Sequence, residues 1–371
     1  MPFDSRSFPV APAERDNRTN PRAVARWLLF VAALVWVMVA IGGATRLTGS
    51  GLSIMEWSPL AGTLPPLSEA EWQRLYDLYR TIPQYMLRNA GFGMEGFREI
   101  FWLEWLHRFW GRLIGLAYLG GFVFLWWRGA IPRPLMGRLG LLFALGGLQG
   151  AIGWFMVASG FNQGRTEVSP YRLVLHLSMA FLLFGLLVWT ALGLLRPAPA
   201  VLPAFATRAR DRVRRQVQWA FWLAVATMLA GGFVAGIRAG FSYNTFPLMD
   251  GQLVPAGYLD LAPIWRNLTA NIAAVQFNHR ILATFAGLAA AGAALAAWRR
   301  LPPGAARRAV FVMSGAVALQ YGLGVLTLVH VVPVGLGTLH QTVAVGVLLA
   351  GLVAWHALRA PAAPPSGARA A

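Results

Sequence analysis

Four histidines form the most informative pattern in this chain, because each lies near the start of a long apolar segment. They are His107, His176, His279 and His340. An imidazole inside a membrane segment is costly unless it is paired, liganded or facing a cavity, so it is a candidate for function. Two neutral imidazoles on neighbouring helices can bind haem iron from its two faces. The four residues therefore predict two haem-sized sites, although any single histidine could instead hydrogen-bond a neighbouring helix.

Glu104 stands three residues before His107, which places both side chains on one face of a helix. Its carboxylate could transfer protons or stabilise positive charge that develops on a substrate. The corresponding residue near His279 is Gln276, which cannot ionise. The difference predicts chemistry in the first site and electron transfer in the second. The alternatives are a structural carboxylate that binds Arg108 or caps the helix, and a zinc or di-iron centre, which needs more carboxylates than the apolar segments contain.

Five arginines near the same ends of the apolar segments are candidate contacts for haem propionates, since a guanidinium can bind a carboxylate through two hydrogen bonds. For each of these arginines, an interaction with lipid headgroups is an alternative of equal weight to propionate binding. Two further histidines, His330 and His356, fall outside the repeated pattern and receive no role. The five arginines are Arg46, Arg108, Arg112, Arg238 and Arg280.

The elements that must position these residues are eight apolar runs, each about long enough to cross a bilayer at roughly 17–25 residues. The chain is 57% hydrophobic and 12% charged. We therefore expect an all-α integral membrane protein with eight transmembrane helices. Strand alternation is absent from the sequence, which argues against an outer-membrane barrel. The runs cover approximately 26–46, 104–126, 138–158, 173–195, 217–238, 274–297, 308–330 and 338–357.

The distribution of charge predicts the orientation. All 32 basic residues are arginine, and the net charge is +18. They cluster in the termini and in alternate connections, so the positive-inside rule places both termini in the cytoplasm and the four histidines near the periplasmic side of the inner membrane. Nucleic acid is therefore not an expected partner. The chain has no cysteine, which excludes disulfides, thiol catalysis and thiolate-bound metals.

The two halves of the chain repeat each other. "HR" at His107 recurs at His279, "LQGAIGW" recurs as "LQYGLGV", and "GATR" ending at Arg46 matches "AGIR" ending at Arg238. Duplication of a four-helix unit explains the pattern and predicts two pseudo-symmetric four-helix bundles. The expected divisions are a tail at 1–25, a first half at 26–195, an Arg-rich linker at 196–216, a second half at 217–357 and a tail at 358–371.

The first loop on the predicted periplasmic side, roughly 47–100, is long and rich in aromatic residues. Loops of this length above a membrane site usually cover something or form short surface helices. Ser68 followed by Glu71 has the spacing of a capping box and predicts the start of such a helix.

Six stretches of the sequence form a specific set of motifs: "GGATRLTGSGLS", "GTLPPLSEAEW", "EWLHRFWGR", "AGIRAGFSYNTFPLMDG", "FNHR" and "GTLHQ". They closely resemble the haem A synthases of bacteria and mitochondria, and the resemblance runs from about Trp27 to Trp355. It implies eight membrane helices in two halves and the oxidation of a methyl group of haem O to the formyl group of haem A by successive hydroxylations. Some family members carry a cysteine pair that this chain lacks.

The resemblance also implies roles for individual residues. His107 and His176 would bind the iron of the substrate haem, His279 and His340 would bind the iron of a haem B cofactor, and Glu104 would be the catalytic glutamate. Implied partners are haem O synthase, cytochrome oxidase assembly factors and an unidentified electron donor, and a homo-oligomer stays open.

Two alternatives to an enzyme remain. The first is a di-haem membrane cytochrome for electron transfer, although the four candidate ligands share one depth and transmembrane transfer would favour haems near opposite faces. The second is a transporter built from parallel repeats.

Overall fold

The computed structural model describes residues 19–58, 61–162, 164–196 and 203–359. Within these ranges the regular structure is helical, apart from one isolated bridge between Met249 and Gln252. Eight of the described helices are long and apolar enough to span a membrane. The prediction of an all-α protein with eight spans is confirmed. Most of the two predicted tails, 1–18 and 360–371, lies outside the described residues.

Ten α-helices make up the described fold, with four short 3-10 turns between them. Helices α2 and α3 are short and belong to the first loop, and the other eight are the spans. The helices are α1 Pro21–Leu47, α2 Glu69–Tyr79, α3 Pro83–Arg88, α4 Met94–Trp127, α5 Met136–Ala158, α6 Pro170–Leu195, α7 Ala204–Gly236, α8 Ile272–Arg300, α9 Ala305–Val329 and α10 Val334–Ala357.

Two helices begin well before the predicted spans. Helix α4 starts at Met94 rather than near 104, because its first turns bury Phe97 and Phe101 against α2 above the apolar run. His107 therefore lies roughly four turns inside its helix rather than near the start. Helix α7 takes in 204–216, which were predicted as linker, since alanine and arginine are good helix formers. Apolar length predicts only the part of a helix that lies in lipid.

The spans pack through two apolar clusters. One joins α1, α4, α5 and α6 with parts of α7 and α10, and the other joins α7, α8, α9 and α10. In the second cluster α8 presents buried Ala290, Ala293 and Ala297, which lie on one face and allow close approach to its neighbours. Helix α1 also contacts α10, and α6 contacts both α7 and α10. The division into two bundles stays a prediction.

The first and last spans are joined by two hydrogen bonds. The indole Nε1 of Trp36 donates to the carbonyl of Thr342 at 2.8 Å, and the amide of Gln341 donates to the carbonyl of Val39 at 3.0 Å. Hydrogen bonds between helices in a membrane contribute about 0.6–2 kcal/mol each. Residues about 300 positions apart thus fix α1 against α10.

Tyr118 connects α4 to α5. Its hydroxyl donates to the carbonyl of Leu139 at 2.7 Å, and its ring stacks on Phe143 with centroids 6.0 Å apart. Both the ring and Leu139 are buried. This contact holds α4 and α5 together at the end of the helices remote from His107.

The first loop folds as short helices, as predicted. The hydroxyl of Ser68 caps α2 by accepting a hydrogen bond from the backbone N–H of Glu71 at 3.2 Å, which confirms the predicted helix start. Trp72 of α2 packs edge-on against Phe101 of α4, with centroids 4.8 Å apart. A separate aromatic cluster therefore fixes this loop on the outer turns of α4.

Candidate functional site

The structure brings the four histidines together as two pairs. His107 on α4 and His176 on α6 are near enough to interact electrostatically, and so are His279 on α8 and His340 on α10. All four residues are partly buried. Each pair thus places two imidazoles on different helices, which is the arrangement that a flat ligand between them requires.

Each histidine ring lies against a glycine of the preceding span. A Cβ built on that glycine would meet the histidine Cε1 atom at 2.9 Å for His107 and His176, closer than real Cβ contacts, and at 3.0 Å for His279 and His340, tighter than nearly all of them. Any other residue type would therefore displace the ring by a few tenths of an ångström. The four contacts are Gly42 with His107, Gly153 with His176, Gly231 with His279, and Gly324 with His340.

The two repeated glutamines of the "LQ" motifs support the second histidine of each pair. The side-chain amide of Gln149 donates to the backbone carbonyl of His176 at 3.1 Å, and that of Gln320 donates to the carbonyl of His340 at 2.9 Å. The repeat in sequence is therefore a repeat of contact. It ties α5 to α6 and α9 to α10 at the level of the imidazoles.

Glu104 is buried, with 3% of its surface exposed, and all of its partners are hydrogen-bond donors. Its Oε2 accepts from the hydroxyl of Ser53 at 2.7 Å and from the backbone N–H of Ile54 at 2.9 Å. Its Oε1 accepts from Arg108 at 2.6 Å, as the structural alternative anticipated. The carboxylate sits one turn from His107 and also fastens the first loop to α4.

Gln276 fastens the loop after α7 in the same way with the opposite polarity. Its Nε2 donates to the carbonyls of Ala239 at 2.7 Å and Ser242 at 2.5 Å, while its Oε1 accepts from Arg280 at 2.7 Å. Where Glu104 accepts from the loop, Gln276 donates to it. The loop therefore presents hydrogen-bond donors, a backbone N–H and a side-chain hydroxyl, in the first half. In the second half it presents backbone carbonyl groups, which are acceptors.

Three of the five predicted arginines strap these loops to their helices. Arg108 donates to the carbonyls of Ile54 and Glu56, and Arg112 donates to the carbonyl of Ser58 at 2.7 Å. In the second half Arg280 donates to the carbonyls of two loop residues, Tyr243 and Thr245. These guanidinium groups thus bind backbone carbonyls of the two loops.

Arg46 and Arg238 converge on one carboxylate, that of Glu167 in the loop before α6. Arg88 of α3 contacts the same carboxylate at 2.7 Å. Burial alone would raise the pKa of Glu167, but its ion pairs and hydrogen bonds with Arg46, Arg88 and Arg238 lower that pKa below the usual value of 4.5. The cluster joins the ends of α1 and α7 to the first loop.

The residues present fit a haem better than a bare metal ion. Among the described residues there is no group of three or more histidine, aspartate or glutamate side chains that could hold a metal ion. A haem needs only two protein ligands, because the porphyrin supplies four. The Nδ1 atoms of His107 and His176 are buried with no hydrogen-bond partner in the part of the chain that is described.

The two remaining histidines lie away from both pairs. His330 caps the end of α9, is exposed, and its Nδ1 lies 2.8 Å from the carbonyl of Leu326. His356 is buried near the opposite end of α10, where its ring packs edge-on against Trp189 and its Nδ1 lies 3.1 Å from Arg359. Both have local structural contacts and neither approaches the paired imidazoles in the contacts described.

Sequence reasoning missed the glycines that back the histidines, the loop partner Ser53 and the bridging role of Glu167. The glycines had a signal, because Gly153 and Gly324 occupy the same position in the two "LQ" motifs. The "GATR" and "AGIR" match aligns Arg46 with Arg238, whereas an alignment of Gly42 with Gly231 places these arginines three residues apart in register. Glu167 had no signal beyond being an acidic loop residue.

Comparisons with known proteins give a consistent result. Residues 25–352 match the model of a family described as cytochrome oxidase assembly protein. A protein named heme A synthase from Granulibacter bethesdensis is 54% identical over 350 residues, covering 94% of this chain and 90% of its own. Proteins of the same name from Rhodospirillum centenum and Azorhizobium caulinodans are 48% and 49% identical, covering 96% and 90% of this chain and 95% and 93% of their own.

Proposed function

The chain belongs to the haem A synthase family, and from this premise we propose that it is an oxidoreductase that converts haem O to haem A. The reaction oxidises one methyl group of the substrate to a formyl group through successive hydroxylations, and the hydrated aldehyde then loses water. The structural observation that carries the proposal is a difference between the two imidazole pairs. Only the first pair has a carboxylate beside it. The di-haem cytochrome explains the imidazoles but gives no role to that difference.

The residues that would hold the two haems follow from this pairing. We assign His107 and His176 to the substrate haem and His279 and His340 to a haem B cofactor. When bound, each haem supplies an iron centre capable of one-electron chemistry. The contribution of the chain is to fix the imidazoles on separate helices.

Glu104 is the acid-base group that we assign to the substrate site. It stands one turn from His107 on the same helical face, so it would lie beside a haem bound there. There Oε1 and Oε2 can accept a proton or stabilise positive charge at the oxidised carbon. Gln276 occupies the corresponding place at the second site and cannot ionise, which supports electron transfer as the role of that site.

The five arginines remain candidates for the haem propionates. The Nε atoms of Arg46 and Arg280 are buried and have no hydrogen-bond partner among the described residues. A propionate could satisfy either donor. At Arg108 and Arg238 a propionate would compete with the oxygen atoms that these guanidinium groups already bind.

The test is to purify the protein from cells that make haem O, extract the pigments and measure haem A, B and O. Wild type should yield haem B with haem O or A. Glu104→Ala should retain haem B and form no haem A. Ser53→Ala, which removes one loop contact and keeps the carboxylate, is the matched control and should form haem A.

Two results would contradict this assignment. Haem B without any conversion of haem O in wild type would favour the di-haem cytochrome. Equal loss of haem A in Ser53→Ala and Glu104→Ala would show that Glu104 acts through the loop and not on the substrate.

We further propose that the protein lies in the inner membrane with both termini cytoplasmic and the imidazole pairs near the periplasm, where haem O synthase, oxidase assembly factors and an electron donor would meet it. The absence of cysteine allows a direct test. A membrane-impermeant maleimide should label Leu253→Cys from the periplasm of intact cells and Arg299→Cys only after lysis. The reverse pattern would overturn the orientation.

A further inference from the structure

The four contacts between glycine and histidine share one geometry. In each, Cε1 is the ring atom nearest to the position of the absent Cβ, and Nδ1 follows at 3.4 to 3.6 Å. For the three histidines whose Nε2 lies within 4 Å, that atom is farther away, at 3.7 or 3.8 Å. In all four contacts the Cε1 end of the imidazole thus packs against the glycine of the neighbouring helix.

We infer that Gly42, Gly153, Gly231 and Gly324 are positioning residues that set the depth and rotation of the iron-binding imidazoles, an inference that rests on the proposed haem sites. The wall formed by each glycine receives the Cε1 end of the ring. The glycines would determine how closely each imidazole approaches the neighbouring helix and how the ring is rotated.

A methyl group at any of the four positions must move the ring. The contact at 2.9 or 3.0 Å involves Cε1, which belongs to a rigid ring and not to the end of a flexible chain. The imidazole can turn only about two bonds, so relief of the clash swings Nε2 as well. For His279 the movement would also strain the contact of Nδ1 with the carbonyl of Thr227, now 3.0 Å long.

Close packing of helices is the ordinary reason for glycine in a membrane protein. It does not account for these four, because the atoms nearest to each absent Cβ belong to the histidine ring and not to a neighbouring backbone. By contrast, a Cβ at Gly322 or at Gly140 would meet nothing within 4 Å. Alanine is also a better helix former than glycine, so harm at the four positions would not come from helix propensity.

The experiment compares single alanine variants of the full-length protein purified from cells that make haem O. Gly153→Ala is matched with Gly140→Ala on α5, and Gly324→Ala with Gly322→Ala on α9. Haem B, O and A are extracted and counted per protein. The optical spectrum and the low-spin electron paramagnetic resonance signals report the ligation of iron independently of turnover.

We expect effects confined to one site. Gly231→Ala and Gly324→Ala should lower the affinity for haem B about tenfold, as loss of a ligand-orienting residue does, and shift its low-spin signal. Gly42→Ala and Gly153→Ala should keep haem B and lose bound haem O and A. The variants at Gly140 and Gly322 should match wild type.

Three outcomes would overturn the inference. They are unchanged haem content and signals in the four variants, equal effects in the Gly140 and Gly322 controls, and loss of both haems together from all four, which would indicate general misfolding. A wild-type protein that binds no haem would instead refute the proposed function, so the two failures are distinguishable.

Discussion

The opposite polarity of Glu104 and Gln276 makes a quantitative prediction for Gln276→Glu. The substitution replaces the amide that donates to the carbonyls of Ala239 and Ser242 with an oxygen that cannot donate. Two buried acceptors lose their partner, at about 1–3 kcal/mol each. The new charge strengthens the contact with Arg280 by about 1 kcal/mol. The net effect should therefore destabilise the closed position of the loop after α7 by about 3 kcal/mol.

Limited proteolysis of the purified protein measures this release. An opening equilibrium shifted by about 3 kcal/mol corresponds to roughly a hundredfold faster cleavage within 237–271 when opening precedes cutting. Gln276→Met is the matched variant, since it removes the donor without adding charge, and it should show an increase at least as large because it also loses the contact with Arg280. Cleavage of the first loop should be unaffected in both.

The mirror variant, Glu104→Gln, should release the first loop by a comparable amount. Its amide must turn its NH2 group either towards the N–H of Ile54 or towards Arg108. Either choice places two hydrogen-bond donors opposite each other. Glu99→Gln, an exposed change on the same helix, controls for loss of charge. If Gln276→Glu and Glu104→Gln both resist protease as wild type does, the loops are held by other contacts and the reasoning fails.

Three further predictions concern stability. Tyr118→Phe should destabilise the protein by about 1 kcal/mol in detergent melts, because the carbonyl of Leu139 loses its donor. The lowered pKa of Glu167 means that its stabilisation is complete above about pH 4.5 and is lost as the pH falls through the lowered value, so the difference in melting between wild type and Glu167→Gln should shrink below pH 4.5. Asn267→Ala should cost about 2–4 kcal/mol, since this fully buried amide makes hydrogen bonds to Leu261 in both directions.

Sequence alone predicted the parts of this fold that depend on composition and local spacing. Apolar length predicts eight spans, because a bilayer demands it, and the Ser68 capping box predicts the start of α2, because the cap is local. The start of α4 was not predictable from apolar length, because Phe97 and Phe101 are buried by the first loop and not by lipid.

For the candidate site too, local spacing was predictable and contacts between distant segments were not. The repeat predicted the paired histidines and the difference between Glu104 and Gln276. It could not predict that Arg46 and Arg238 share Glu167, since that contact joins three distant segments. Nor could it reveal the loop groups that face Glu104, because backbone N–H and carbonyl directions leave no trace in residue types.

The hydrogen bonds between α1 and α10 bear on biosynthesis. As the chain leaves the ribosome, Trp36 and Val39 enter the membrane before the residues that bind them, Thr342 and Gln341, have been made. These two hydrogen bonds of α1 therefore form only when translation is almost complete, although α4 and α6 can pack against α1 earlier. A premature stop that removes only the last helix would leave both bonds unmade, so truncations near the carboxyl terminus should also weaken the packing of the first helix.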